Sequence, residues 1–292
     1  MKEEKKGELY TFLAGTIWAF FPIVTILALQ GIPSMTTLAW STGFSGVIFL
    51  LLFLYKKHYK ELQKKKVWLY SLFVAFFNGI CFYGLFFLGL TMTTAGNAGL
   101  VALFETFTSF IFFSILRKEH FKLEYKVGSV LLVIGAGIVL IRNFSGINTG
   151  DLLILAATFF APVGNMYQQK LKKITKTETI LFLRTLISTP IIFLIAMLLG
   201  QLTRTAEIRD VLPFLLLNGV LILGFSKVFW IEAISRISVT KAIALGAFIP
   251  FLTLILSWII FGQVPTWSQI MALPFLIAGT YMLTDNWKFK KI

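Results

Sequence analysis

Long apolar stretches alternate with short polar or charged connections along almost the whole of the 292-residue chain. The pattern predicts ten helices, at Leu9–Leu29, Ser34–Tyr55, Val67–Leu90, Gly96–Leu116, Leu123–Ile141, Gly150–Gln169, Glu178–Gly200, Val211–Ala233, Thr240–Phe261 and Trp267–Thr284. At 1.5 Å of rise per residue, about 20 residues cross the roughly 30 Å of hydrocarbon in a bilayer. Each stretch therefore reads as a membrane span, the fifth and tenth being the shortest. The connections are too short to hold a soluble domain.

The pattern also repeats. Gly7-Glu8-Leu9 returns as Gly150-Asp151-Leu152, an offset of 143 residues. At that offset Met35–Leu52 falls on Glu178–Ile195, and Tyr83–Thr94 on Ser226–Ile237. With one residue of slip, Leu103–Glu119 falls on Ala247–Gln263 and Leu123–Leu140 on Trp267–Thr284. Two units result, residues 1–143 and 144–292, with five helices each. Because five is odd, the second unit enters the membrane upside down. The expected fold is thus an all-α polytopic membrane protein with ten transmembrane helices in a 5+5 inverted repeat, an architecture typical of secondary transporters.

Composition supports the membrane reading: 57% of residues are apolar and 14% charged, too little polar surface for a water-soluble core. The net charge of +14 raises the question of a nucleic-acid partner, and its distribution answers it. With the N-terminus inside, 22 of the 27 Lys and Arg fall on the cytoplasmic side, notably Lys56–Lys66, Arg117–Lys126 and Lys170–Lys176. Only Arg142, Arg204 and Arg209 fall outside. Such asymmetry orients membrane helices, so both termini are expected in the cytoplasm of a prokaryotic-type inner membrane. Membrane lipids, not nucleic acid, are the expected partners of the basic loops. A cleaved leader is disfavoured because the first stretch has a repeat partner.

Several chemistries find no support. Both histidines, His58 and His120, fall in loops; Cys81 is the single cysteine; and no helix carries metal-ligand spacing or a phosphate-binding glycine loop. No nucleophile–base pair stands out, and no cofactor is expected.

The ten helices, the five-plus-five duplication and the Lys-rich loops resemble the drug/metabolite transporter superfamily, in its EamA-like branch. That family ends the fourth helix of each half in an acidic residue after a Pro-containing stretch, before a Gly-rich fifth helix. Here Pro250, Gln263 and Gly279 stand at those places in the second half, and Thr106, Glu119, Gly128, Gly135 and Gly137 in the first. Thr106 for Pro and Gln263 for Glu depart from the pattern. Arg184 matches an Arg of the second helix, whose first-half counterpart is Ser41. The resemblance implies transport of small organic molecules, commonly outward; it does not name the substrate.

Candidate pathway residues follow from the cost of polarity in lipid. Glu105 lies about nine residues into its span, near the midplane, where a carboxylate costs roughly 2.5–3.5 kcal/mol and needs a cavity or a partner. It is either a ligand or proton site, or a helix-to-helix hydrogen bond. Lys227 either lines the pathway, snorkels, or pairs with Glu232; Arg184 lines the pathway or snorkels. Trp18, Trp40, Tyr83, Tyr167 and Trp230 lie within spans instead of at the interfacial belts, and Asn78, Asn97, Asn165 and Gln168 add hydrogen-bonding capacity. Pro22 and Pro162, near-equivalent in the two halves, are expected to bend the first helix of each.

The expected function is secondary export of small metabolites such as amino acids, by alternating access around a central cavity. A membrane enzyme acting on lipid-linked substrates, or a non-transporting receptor, are the alternatives. Oligomeric state is open at this level.

Overall fold

The computed structural model describes residues 3–117, 123–140 and 148–282. Among them the helices are α1 (Glu3–Trp18), α2 (Phe21–Leu29), α3 (Ser34–Lys56), α4 (Lys65–Val74), α5 (Tyr83–Leu90), α6 (Ala95–Ala102), α7 (Glu105–Arg117) and α8 (Leu123–Leu140). There follow α9 (Thr149–Lys172), α10 (Thr177–Leu198), α11 (Thr205–Asp210), α12 (Leu212–Leu216), α13 (Ser226–Ile234), α14 (Val239–Leu245), α15 (Ile249–Phe261) and α16 (Trp267–Met282). No strand occurs among the described residues. Several helices join end to end, and eight continuous spans are long and apolar enough to cross a membrane. Of the two remaining stretches, α8 has 18 residues and α16 has 16. Large apolar side chains, such as those of Phe12, Leu51, Leu198 and Ile259, stand exposed on the helices. In an integral membrane protein such surface is solvated by lipid.

Each half packs against the other through equivalent elements. The two second helices, α3 and α10, lie together, as do the two fifth helices, α8 and α16. α1 packs on α13, and its counterpart α9 packs on α5. Since lipid tails are as apolar as the core, association relies on close packing and polar contacts between helices. The α8–α16 contact shows this: a Cβ at Gly279 would sit 2.7 Å from the Gly128 carbonyl oxygen, so only glycine admits this approach. Gly137, by contrast, faces open space.

Where sequence periodicity predicts uninterrupted helices, the structure inserts irregular backbone at matching places. The third span of each half contains a π-helical segment, Ala75–Phe82 and Leu217–Phe225. The fourth span breaks at Leu103–Phe104 between α6 and α7, and tightens to a 3-10 turn at Gly246–Phe248 between α14 and α15. These pairs are related by the repeat offset.

The two prolines do not behave alike. α1 and α2 are interrupted at Ala19–Phe20, just before Pro22, but α9 continues through Pro162. Proline removes the hydrogen bond to the carbonyl four residues earlier. For Pro162 that carbonyl belongs to Thr158, and the Thr108 hydroxyl donates to it at 2.7 Å. In the other half, the Thr253 hydroxyl donates at 3.0 Å to the carbonyl of Ala19, in the break itself.

One face of the bundle carries the lysine-rich connections. Its short 3-10 segment, Tyr59–Gln63, brings Glu61 to the start of α10, where the hydroxyls of Thr175 and Thr179 and the backbone N–H of Lys176 (3.2 Å) donate to Oε2. Partial burial pushes the Glu61 carboxyl up, but these hydrogen bonds, with His58 nearby, outweigh it and hold the group below the usual carboxylate range. A carboxylate so depressed contributes stability above its unfolded pKa and loses it as pH falls through the lower folded value. The hydrogen-exchange protection factors of residues 59–66, taken relative to the intrinsic rate at each pH, are therefore expected to be unchanged from neutral pH to about pH 5 and to fall below about pH 4. Glu61→Gln should show the faster exchange at neutral pH, by about 1 kcal/mol or less for so exposed a contact. Equal protection in both proteins at neutral pH would remove Glu61 from this role.

Candidate functional site

The helix breaks and π-helical segments surround a cavity between the two halves. Repeat-equivalent positions line it in pairs: Trp18 with Ala161, Tyr83 with Ser226, Gly99 with Ala242 and Glu105 with Ile249. Its volume, about 120 Å³, is that of about four water molecules at the roughly 30 Å³ each occupies in the liquid. Thr11 and Ala242 border it one turn inside the Lys-rich face, next to Glu8 and Lys241, whose side chains pair at 2.7 Å. Beyond Trp18 it is closed by packed apolar side chains, including Phe21, Phe86, Phe87 and Leu100.

Nine of the expected residues share this cavity: Glu105, Lys227, Arg184, Trp18, Asn78, Tyr83, Asn165, Gln168 and Trp230. Glu105 opens α7 directly after the break. Its Oε1 accepts from Asn165 Nδ2 at 3.1 Å. The carbonyl oxygen of Asn165 in turn accepts from Asn78 Nδ2 at 3.2 Å and Trp230 Nε1 at 3.3 Å. Asn78 reaches this position because residue 164 is glycine: a Cβ there would meet Asn78 Oδ1 at 2.1 Å. The relay fixes the Glu105 side of the cavity from four elements.

Neither cation on the other wall snorkels. Arg184 is 2% exposed; Nη2 donates to the Leu223 carbonyl at 3.3 Å, its guanidinium carbon lies 6.0 Å from the Tyr83 ring centroid, and Nε has no partner. The π-helical segment that contains Leu223 turns this carbonyl toward α10. Lys227 extends its ammonium over Trp18, 3.6 Å from the ring centroid, and 5.6 Å from that of Tyr83. Such face-on cation–π contacts are most favourable with tryptophan. The expected alternative, pairing of Lys227 with Glu232, is overturned: Glu232 binds Lys172, Thr177 and Arg236.

Three expected residues lie elsewhere. Trp40 packs edge-on against Phe193 at 5.6 Å and beside Phe44. Tyr167 stacks on Phe73 at 4.5 Å, with Lys170 above its ring. Asn97 belongs to a network at the face opposite the lysines, where Nδ2 donates to Asp151 Oδ2 at 3.1 Å and Oδ1 accepts from Gln269 Nε2 at 2.7 Å. Thr93 also donates to Asp151, and Asn148 caps α9 through the backbone N–H groups of Gly150 and Asp151. Sequence reasoning passed over Thr11 and Ser226, which line the cavity. Ser226 was open to detection as the repeat equivalent of Tyr83.

The geometry sets a few charged and amide groups in an apolar, aromatic cavity at the junction of two similar halves. A family model matches this chain twice, over residues 5–141 and 148–285, and its description is EamA-like transporter family. The chain belongs to the EamA-like transporter family. Uncharacterized transporter YoaV of Bacillus subtilis (strain 168) is 22% identical over 290 residues, 94% of this chain and 96% of that protein. A crystal structure with 17% sequence identity superposes with a TM-score of 0.72, covering 96% of this chain and 97% of the other, and so shares the fold. As an EamA-like chain the protein is a membrane transporter. Gln263 accepts from the Ser257 hydroxyl at 2.8 Å. Pro250 sits in the first turn of α15, where a missing N–H costs no helical hydrogen bond. Glu119, His120 and Arg142 lie outside the described residues.

Proposed function

We propose that this protein is a secondary transporter that exports small organic metabolites, amino acids or similar compounds, by alternating access around the cavity, and that it carries out no chemical conversion. The observation that carries the reading is the convergence of Glu105, Arg184 and Lys227 on one cavity bordered by both repeats. Ionisable groups kept at membrane depth are expensive, and a solute pathway is the usual reason for them. The ten-crossing reading counts α8 and α16 as the fifth helix of each half. Inversion is supported by Glu8 and Asp151: equivalent in the repeat, they lie at opposite faces, one with Lys241 and the other with Thr93 and Asn97. Two inverted halves that exchange conformations turn an inward-open cavity outward, and the cavity's nearness to the Lys-rich face fits the inward-facing side of that cycle.

Purified protein in liposomes is expected to show saturable uptake of a metabolite and its counterflow; failure across a broad metabolite panel would overturn the transport reading. Orientation has its own test. A cysteine introduced as Gln63→Cys is expected to resist a membrane-impermeant thiol reagent in intact cells and to react after permeabilisation. Labelling of intact cells would place the Lys-rich face outside.

A further inference from the structure

Three ionisable side chains line the cavity: Glu105, Arg184 and Lys227. Their charges do not balance. Asn165 engages one oxygen of Glu105, but the cations on the opposite wall are under-served. The buried Arg184 keeps Nε without a hydrogen-bond partner, and Nη2 makes one long bond to a carbonyl. The Lys227 ammonium rests on aromatic faces and makes no hydrogen bond. A guanidinium N–H left unpaired in a buried place is costly, and an ammonium has three donors to satisfy. Both cations line the cavity and lie within 6.0 Å of the centroid of one ring, that of Tyr83.

From this we infer that Arg184 and Lys227 form an anion subsite, and that the solute held here carries one more negative than positive charge: a small organic carboxylate. With Glu105, Arg184 and Lys227 all ionised the lining has an excess of one positive charge, which such a solute neutralises; a zwitterion leaves the excess and a cation adds to it. A carboxylate supplies acceptors to Arg184 and Lys227 together, in the charge-assisted geometry that arginine favours. Trp18, Phe82 and Trp230 provide an apolar bed for the rest of the molecule. Where the solute also has an ammonium, Glu105 is its partner, and a second acid group then meets the cations. This inference deepens the transport reading and rests on it only for the word solute; the subsite itself is a property of the cavity.

The test uses two nearly isosteric probe series on the full-length protein in detergent: phenylacetate, phenylacetamide and phenethylamine, and glutamate, glutamine and lysine. Binding is measured by calorimetry and thermal shift. The anion of at least one series is expected to bind about tenfold or more tightly than its neutral and cationic partners, the scale of a charge-assisted hydrogen bond. Lys227→Met should remove that preference, as should Arg184→Gln. Arg184→Lys, which keeps the charge but loses the planar fork, should weaken anion binding without reversing the order. Equal binding across both series, tighter binding of the amine in both, or no anion binding at all would overturn the subsite, as would a folded Lys227→Met protein with unchanged preference. Liposome flux separates the two claims: anion binding that needs Arg184 and Lys227 without flux removes the transport reading alone, whereas flux of amines but not acids removes the anion subsite alone.

Discussion

Replacement of Glu105 by glutamine is expected to leave the protein folded and to reduce transport about ten- to hundredfold, the value of a hydrogen bond to a charged group lost from the pathway. Glutamine keeps the shape and an oxygen for the 3.1 Å bond from Asn165, so the relay through Asn78 and Trp230 has no reason to collapse. What disappears is the negative charge facing Lys227 and Arg184 across the cavity. Without it the cations are uncompensated in the empty state, and an ammonium on the solute has no counter-charge. Glu105→Ala should be less stable than Glu105→Gln, because it also strands the Asn165 donor. Flux into liposomes, with melting temperatures measured alongside, checks both statements. A Gln variant that melts and transports like the parent would reduce Glu105 to a bond between α7 and α9.

Asp151→Ala is expected to lower the melting temperature in detergent by roughly 5–10 °C, which corresponds to about 2–4 kcal/mol for a chain of this size class. Asp151 is fully buried and accepts from Thr93 and from Asn97, whose amide oxygen is held by Gln269 of α16. Gln269 Oε1 in turn accepts the backbone N–H of Thr266 at 2.9 Å. One carboxylate thus ties the start of α9 to α6 and, through Asn97, to α16. Removing it strands buried donors that lipid cannot satisfy. Asp151→Asn retains an acceptor for one of them and should fall between the parent and the Ala variant. A melting temperature within a degree of the parent for Asp151→Ala would show that the helices at this face are held by packing alone.

The repeat and the site stand in an informative relation. Equivalent positions of the two halves line the cavity, yet the groups with chemistry have plain partners: Trp18 corresponds to Ala161, Tyr83 to Ser226, Arg184 to Ser41 and Lys227 to Gly84. The duplication explains the existence of a cavity at the junction. The asymmetry between its copies explains what the cavity holds.

The amino-acid order alone determined the helices, their approximate bounds, the twofold repeat and the family, because the demand for a continuous apolar run to cross hydrocarbon is local and is written residue by residue. It also marked Glu105, Arg184 and Lys227, since a charge among apolar neighbours stands out without reference to any other part of the chain. It did not determine which way side chains face. In water a helix shows its buried side by its apolar stripe; in lipid both sides are apolar, so the stripe is faint and Asn97, Trp40 and Tyr167 read the same as Asn78, Trp18 and Tyr83. Only packing against neighbouring helices sent the first three away from the cavity. Backbone irregularity was decided in the same way. Pro22 and Pro162 have the same local chemistry, but the Thr108 hydroxyl meets the carbonyl left free by Pro162 and α9 runs on. The break at Leu103–Phe104 has neither Gly nor Pro to announce it. The polar groups released by such a break must find partners that are distant in sequence, so tertiary structure alone decides where the chain can bend.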